Sequence, residues 1–135
     1  MLPYNSSKYF VWLWAHNNIF LHPSFLTDPE HPESVDIRNV NSTSVTFYWE
    51  KPFKPNGIIT GYIVRYNIST RTANLHCPVE EHDMMINVTG YVTFHKNIID
   101  LFPWTTYMFC IAAQTTSGKG ADICKEQQTL QDCKY

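Results

Sequence analysis

Four cysteines, six histidines and twelve carboxylate side chains are the groups in this chain with chemistry to offer. Their densest cluster is HCPVEEHD at residues 76–83, which brings His76, Cys77, His82 and Asp83 into one short run. These are donor types that hold zinc, but a zinc site wants three or four donors fixed at set spacing by rigid elements. This run has no hydrophobic period and reads as a solvated acidic loop, with Cys77 also competing for a disulfide. Nucleophilic catalysis needs a Ser or Cys beside a base and an orienting group. No GxSxG, HExxH or glycine-rich phosphate loop is present. Ser117-Gly118 falls in a turn, where both residue types have structural reasons to be. The sequence therefore predicts no enzyme in this segment, no metal and no cofactor.

A second set of residues speaks to compartment. Asn5, Asn41, Asn67 and Asn87 each open an N-x-S/T triplet with no proline in the middle. Such triplets are acceptors for N-linked sugar in secreted chains. An even number of cysteines fits an oxidising compartment. Together they predict an extracellular or cell-surface ectodomain segment. Lys8 followed by FVWLWA is too short an apolar run for a signal peptide: it stops at His16, and no small-residue cleavage site follows. No apolar run is long enough for a membrane-spanning helix, so no direct membrane insertion is expected of this segment. A net charge of −2 gives no electrostatic case for nucleic acid.

The elements that must position these residues are strands. Charged residues are only 16% and aromatics 15%, and Val, Ile, Thr, Tyr, Phe and Trp gather in short runs broken by Pro, Gly and Asn. At 135 residues the chain has room for one ordinary domain. VDIRNV (35–40) reads as a first strand. SVTFYWE (44–50) alternates Val45, Phe47 and Trp49 inward, and KPFKPNG (51–57) is a turn-rich loop. ITGYIVRYN (59–67) places Ile59, Tyr62, Val64 and Tyr66 on one face, with Gly61 a step in register. A long irregular stretch runs to about Asp83, and MINVTGYVTFHKNIIDL (85–101) holds one or two further strands. In Thr106–Gln114, Tyr107, Phe109, Ile111 and Ala113 alternate inward; SGKG (117–120) is a hairpin turn and ADICKEQQT (121–129) the last strand. Seven short strands with turn signals between them predict an antiparallel sandwich. LPYNSSKYFVWLWAHN (2–17) repeats the pattern of LFPWTTYMFCIAAQT (101–115), its Tyr9, Val11, Leu13 and Ala15 sharing a face, which suggests tandem modules.

SVTFYWEKPFKPNGIITGYIVRY and LFPWTTYMFCIAAQTTSGKG resemble two signatures of the fibronectin type III family. The first matches a core Trp, a proline-bearing loop, Asn-Gly and Gly-Tyr-x-Val-x-Tyr. The second matches a Leu-Pro corner, an alternating strand from Tyr into Ala, and a Gly-x-Gly turn. The resemblance implies an all-β, immunoglobulin-like, seven-stranded antiparallel β-sandwich over residues 33–129. Its core signature would be Trp49, Tyr62, Leu101 and Tyr107, with Tyr107 forming a tyrosine corner. Residues 1–28 then look like the trailing F–G hairpin of a preceding, incomplete module, expected to be poorly ordered or to rest on the second one, with 29–32 a linker and 130–135 a tail. A modular receptor is implied, similar to receptor tyrosine kinases of the Ros/Sevenless type or receptor phosphatases, whose enzymatic domain would lie elsewhere.

The cysteines depart from the family, which does not usually need a disulfide. Since Tyr107, Phe109 and Ile111 point inward, Cys110 points outward. A hairpin closing around Gly118 sets Cys124 nearly opposite it, favouring a Cys110–Cys124 bridge and leaving Cys77 and Cys133. A Cys77–Cys110 bridge is the competitor, and four cysteines allow three pairings. Recognition is expected on loops at the sandwich ends. The candidates are Phe53 and Lys54 after Trp49, and Thr116, Ser117 and Lys119 in the F–G turn, with Phe53 either an exposed anchor or folded back over the sandwich. No Arg-Gly-Asp tripeptide lies in that turn. The expected partner is a protein ligand or a neighbouring receptor module, in an adhesion role. The alternatives are a spacer without a ligand of its own, or a cytokine-receptor-like module, whose Trp-Ser-x-Trp-Ser motif is missing. An exposed apolar patch without glycan at Phe53 or the F–G turn separates a binding module from a spacer.

Overall fold

The alternating runs close into two antiparallel sheets. The computed structural model describes residues 27–70 and 83–132. Residues 1–26 of the expected 1–28 hairpin, Asn5 among them, lie outside the described residues, as do Cys77, Cys133 and the 76–83 cluster apart from Asp83. Strand β1 (Val35–Arg38) pairs with β2 (Val45–Trp49), and β2 with β5 (His95–Ile98), giving a three-stranded sheet. The second sheet runs β4 (Asp83–Thr89), β3 (Ile59–Thr70), β6 (Thr106–Thr115); the far side of β6 carries β7 (Gly118–Lys119) and β8 (Ile123–Gln128).

The period of two decides which side chains meet between the sheets. Val45, Phe47 and Trp49 of β2 face Tyr62, Val64 and Tyr66 of β3 and Tyr107, Phe109, Ile111 and Ala113 of β6, all buried. Phe47 bridges the layers, with ring centroids 6.0 Å from both Trp49 and Phe109, and Trp49 lies 5.4 Å from Tyr62. Fully burying one such phenylalanine contributes about 1.5–3 kcal/mol. Leu101, 3% exposed, plugs the end of the core, and its N–H donates to Thr43 O at 3.0 Å.

Local chemistry sets the strand ends. β1 stops at Arg38, two residues short of the predicted end, because Asn39 takes φ 50°, a left-handed conformation that Asn tolerates and a strand does not. Gly61 sits at a register shift between β3 and β6, where a Cβ would lie 2.4 Å from Val88 O of β4; only glycine admits that approach. The predicted stretch 85–101 resolves into β4 and β5, one in each sheet. The hairpin turns earlier than SGKG: Thr116 and Ser117 make the turn, while Gly118 and Lys119 already pair with Thr115 and Gln114. The last strand is also broken. Between the Gln114–Lys119 and Ile111–Ile123 pairs, two residues of β6 face three of the partner strand, which is a bulge.

That bulge receives the incoming chain. A Cβ on Gly120 would fall 2.1 Å from Pro29 O. Glu30 N donates to Lys54 O at 3.1 Å, and Asn56 Nδ2 donates to Asp28 O at 3.0 Å. Pro29 and Pro32 are buried, so residues 28–32 are held against the sandwich by the β2–β3 loop and the bulge.

Candidate interaction surface

Strand directions gather three connections at one end of the sandwich. β2 leaves at Trp49 and β3 begins at Ile59; β4 ends where Thr89 pairs with Gly61; β5 begins where His95 pairs with Tyr48; β6 ends where Thr115 pairs with Ile59. Loop 50–58, loop 90–94 and the Thr116–Ser117 turn therefore share this end with the incoming residues 28–34. Pro52 is buried as the loop's anchor, and the Asn-Gly pair turns through φ 52° at Asn56. Phe53 does not fold back: it is 79% exposed, and Ile58 is 80% exposed. Tyr91 and Val92 stand exposed on the neighbouring loop. Sequence reasoning missed Ile58, Tyr91 and Val92. The signal available for the latter pair was Gly90, whose φ of 91° ends β4 where a continuous strand was one of the expectations.

The other loop candidates divide. Lys54 is exposed, its Nζ 3.9 Å from Glu30 on the incoming chain. Thr116 and Ser117 are exposed at the turn, with Ser117 N donating to Thr115 Oγ1 at 3.2 Å. Lys119 is engaged, its Nζ 3.1 Å from Asp122, which also pairs with Arg65. An open cleft of about 580 Å³ on the flank is lined by Glu33, Trp49, Glu50, Lys51 and Phe94, and Trp49 N donates to Phe94 O at 3.0 Å.

On the outer face of the three-stranded sheet, the Arg38 guanidinium lies 4.9 Å over the Tyr48 ring, which stacks on His95 at 5.5 Å. Hydrogen bonds from Arg38 first and Lys125 second hold the Asp36 carboxyl down to about 2. Burial pushes the phenols of Tyr62, Tyr66 and Tyr107 up from their ordinary range.

The structure joins Cys110 to Cys124, directly opposite on β6 and β8 with Cα atoms 4.1 Å apart, so Cys110 does not pair with Cys77. Tyr107 Oη accepts from Phe102 N at 2.9 Å, the geometry of a tyrosine corner. Asn41, Asn67 and Asn87 are exposed. Among the described residues no three His, Cys, Asp or Glu gather as a metal site, and no helix is long and apolar enough to cross a membrane.

A two-sheet sandwich with a tyrosine corner and a buried β2 tryptophan defines an immunoglobulin-like module. The sequence model of the fibronectin type III domain matches residues 30–125, and the chain belongs to that family. Similar proteins include the neuronal cell adhesion molecule of Rattus norvegicus, 34% identical over 77% of this chain and 8% of the relative. Neural cell adhesion molecule L1 of Homo sapiens is 29% identical over 76% and 8%, and protein sidekick-2 of Gallus gallus 37% identical over 68% and 4%. The chain thus spans under a tenth of the length of these relatives. The fold is shared with the third fibronectin III domain of human KIAA0343 protein (TM-score 0.65, 19% identity, 82% of this chain and 90% of that one). It is shared too with the FN5 domain of Drosophila Lar (TM-score 0.59, 24% identity, 77% and 99%).

Proposed function

We propose that this domain is a non-catalytic protein-binding module in the ectodomain of a longer cell-surface adhesion protein, and that it engages its partner through the loop end bearing Phe53 and Ile58. The observation that carries this reading is the exposure of those two side chains. An apolar residue left four-fifths in water gains nothing for the fold, and a large exposed apolar patch marks an interaction site. Aromatic anchors in loops supply much of the binding energy at protein interfaces. The similarity to named cell adhesion molecules supports the adhesive role and the cell-surface location.

The test is attachment of neural-type cells to a surface coated with the full chain, compared with Phe53→Ser/Ile58→Ser. Attachment that falls several-fold with unchanged melting behaviour supports the proposal. Equal attachment by both proteins, or none to either, removes it and leaves a spacer.

A further inference from the structure

Two of the sequence's sugar-acceptor triplets converge on one face. On β3, Tyr62, Val64 and Tyr66 point into the core, so Ile63, Arg65 and Asn67 point away from it. Their partners on β4 share that outer face: Asn87 opposite Ile63, Met85 opposite Arg65, Asp83 opposite Asn67. Asn67 and Asn87 therefore stand on adjacent strands of one surface, about 13 Å apart along the strands. Both are exposed, and neither side-chain amide is hydrogen-bonded among the described residues. Asn41 differs, since its Nδ2 donates to Ser44 Oγ at 3.1 Å in the turn between β1 and β2.

Between the two acceptors lies Met85, 62% exposed on β4, which among the described residues is the outermost strand of its sheet. An apolar side chain on an open edge strand invites pairing with another chain, and proteins blunt such edges with covering groups. We propose that Asn67 and Asn87 both carry N-linked glycans and that these cover Met85 and close the β4 edge. The inference rests on the extracellular reading, because the sugar is added only in the secretory pathway.

In the transfer, the asparagine amide nitrogen attacks the anomeric carbon of an oligosaccharide held on a polyprenyl diphosphate. An N–C bond forms as the C–O bond to the diphosphate breaks, the lipid diphosphate leaves, and the nitrogen gives up one proton. Nothing is oxidised or reduced. Ser69 and Thr89 supply the third-position hydroxyls. The strands of the opposite sheet, β1, β2 and β5, contain no acceptor triplet of their own; the one beside them, at Asn41, lies in the turn that joins β1 to β2.

The test exports the full chain through the secretory pathway of animal cells. Glycopeptide mapping of the wild type, Asn67→Gln and Asn87→Gln is followed by endoglycosidase trimming of the folded wild type. Peroxide oxidation of Met85 is read before and after trimming. Each substitution should remove one glycan, and trimming should speed Met85 oxidation by about threefold or more. An unoccupied Asn67 or Asn87, or Met85 oxidation unchanged by trimming, overturns the proposal. Occupancy with shielding supports it whatever the cell-attachment assay returns, so the two readings fail separately.

Discussion

The Tyr107 hydroxyl accepts a 2.9 Å hydrogen bond from the Phe102 N–H, five residues back along the chain. The equally buried hydroxyl of Tyr62 has no partner among the described residues. Two phenols in one core thus make opposite contributions. Tyr107→Phe removes this hydrogen bond and should cost about 0.5–1.5 kcal/mol, whereas Tyr62→Phe should change stability by less than about 0.5 kcal/mol or raise it. Urea unfolding of the two variants checks this; equal losses would contradict it.

Trp49 is 3% exposed and touches aromatic rings of both sheets. Trp49→Ala should cost about 3–5 kcal/mol, enough to unfold a module of ordinary stability. A chemical melt showing less than about 1 kcal/mol lost would rule out Trp49 as the anchor.

The Cys110–Cys124 bridge spans a sequence separation of 14. Closing a loop of that size in the unfolded chain is worth roughly 3 kcal/mol, with measured bridges typically giving 2–4. Cys110→Ser/Cys124→Ser should lower unfolding free energy by about that amount while keeping the sheet, because β6 also pairs with β3 along its length. Denaturant titration and far-ultraviolet dichroism measure the two halves of this claim.

Asp36 gives a pH dependence with a definite sign. Its folded carboxyl titrates near 2, below its unfolded value, owing to Arg38 and Lys125. Its stabilising effect is therefore complete above the ordinary carboxylate range and is lost as pH falls toward 2. Carbon-detected NMR should find the Asp36 midpoint near 2, rising in Arg38→Ala and with added salt, since the pair is exposed and screened. An ordinary midpoint would refute the assignment.

The inward residues of β2, β3 and β6 were legible because a strand with one buried face must alternate, and nothing competes with that period. The Cys110–Cys124 register was legible for the same reason once the hairpin was placed near Gly118. The turn falls earlier than SGKG suggests, because Gly118 and Lys119 pair with Thr115 and Gln114 ahead of a bulge that no local residue pattern announces. Phe53 was open to two readings, since exposure depends on whether the far side of the loop offers apolar surface. Tyr91 and Val92 have strand-forming types, yet their loop is set by Gly90 and by β5 crossing to the other sheet. That crossing is a long-range choice, invisible to a local window.

The bridge between β6 and β8 also has a mechanical meaning. Beyond β8 the chain stays pinned, Leu130 N–H bonding Asn41 O and Thr129 N bonding Thr105 O. Tension drawn from that side would break these bonds and then peel Gln128, Gln127, Glu126 and Lys125 from β6 one pair at a time. At Cys124 the unzipping meets a covalent bond, and the load passes into β6 at the centre of its sheet. A pull on this end should therefore yield a short, fixed extension before the load reaches the aromatic core behind Cys110.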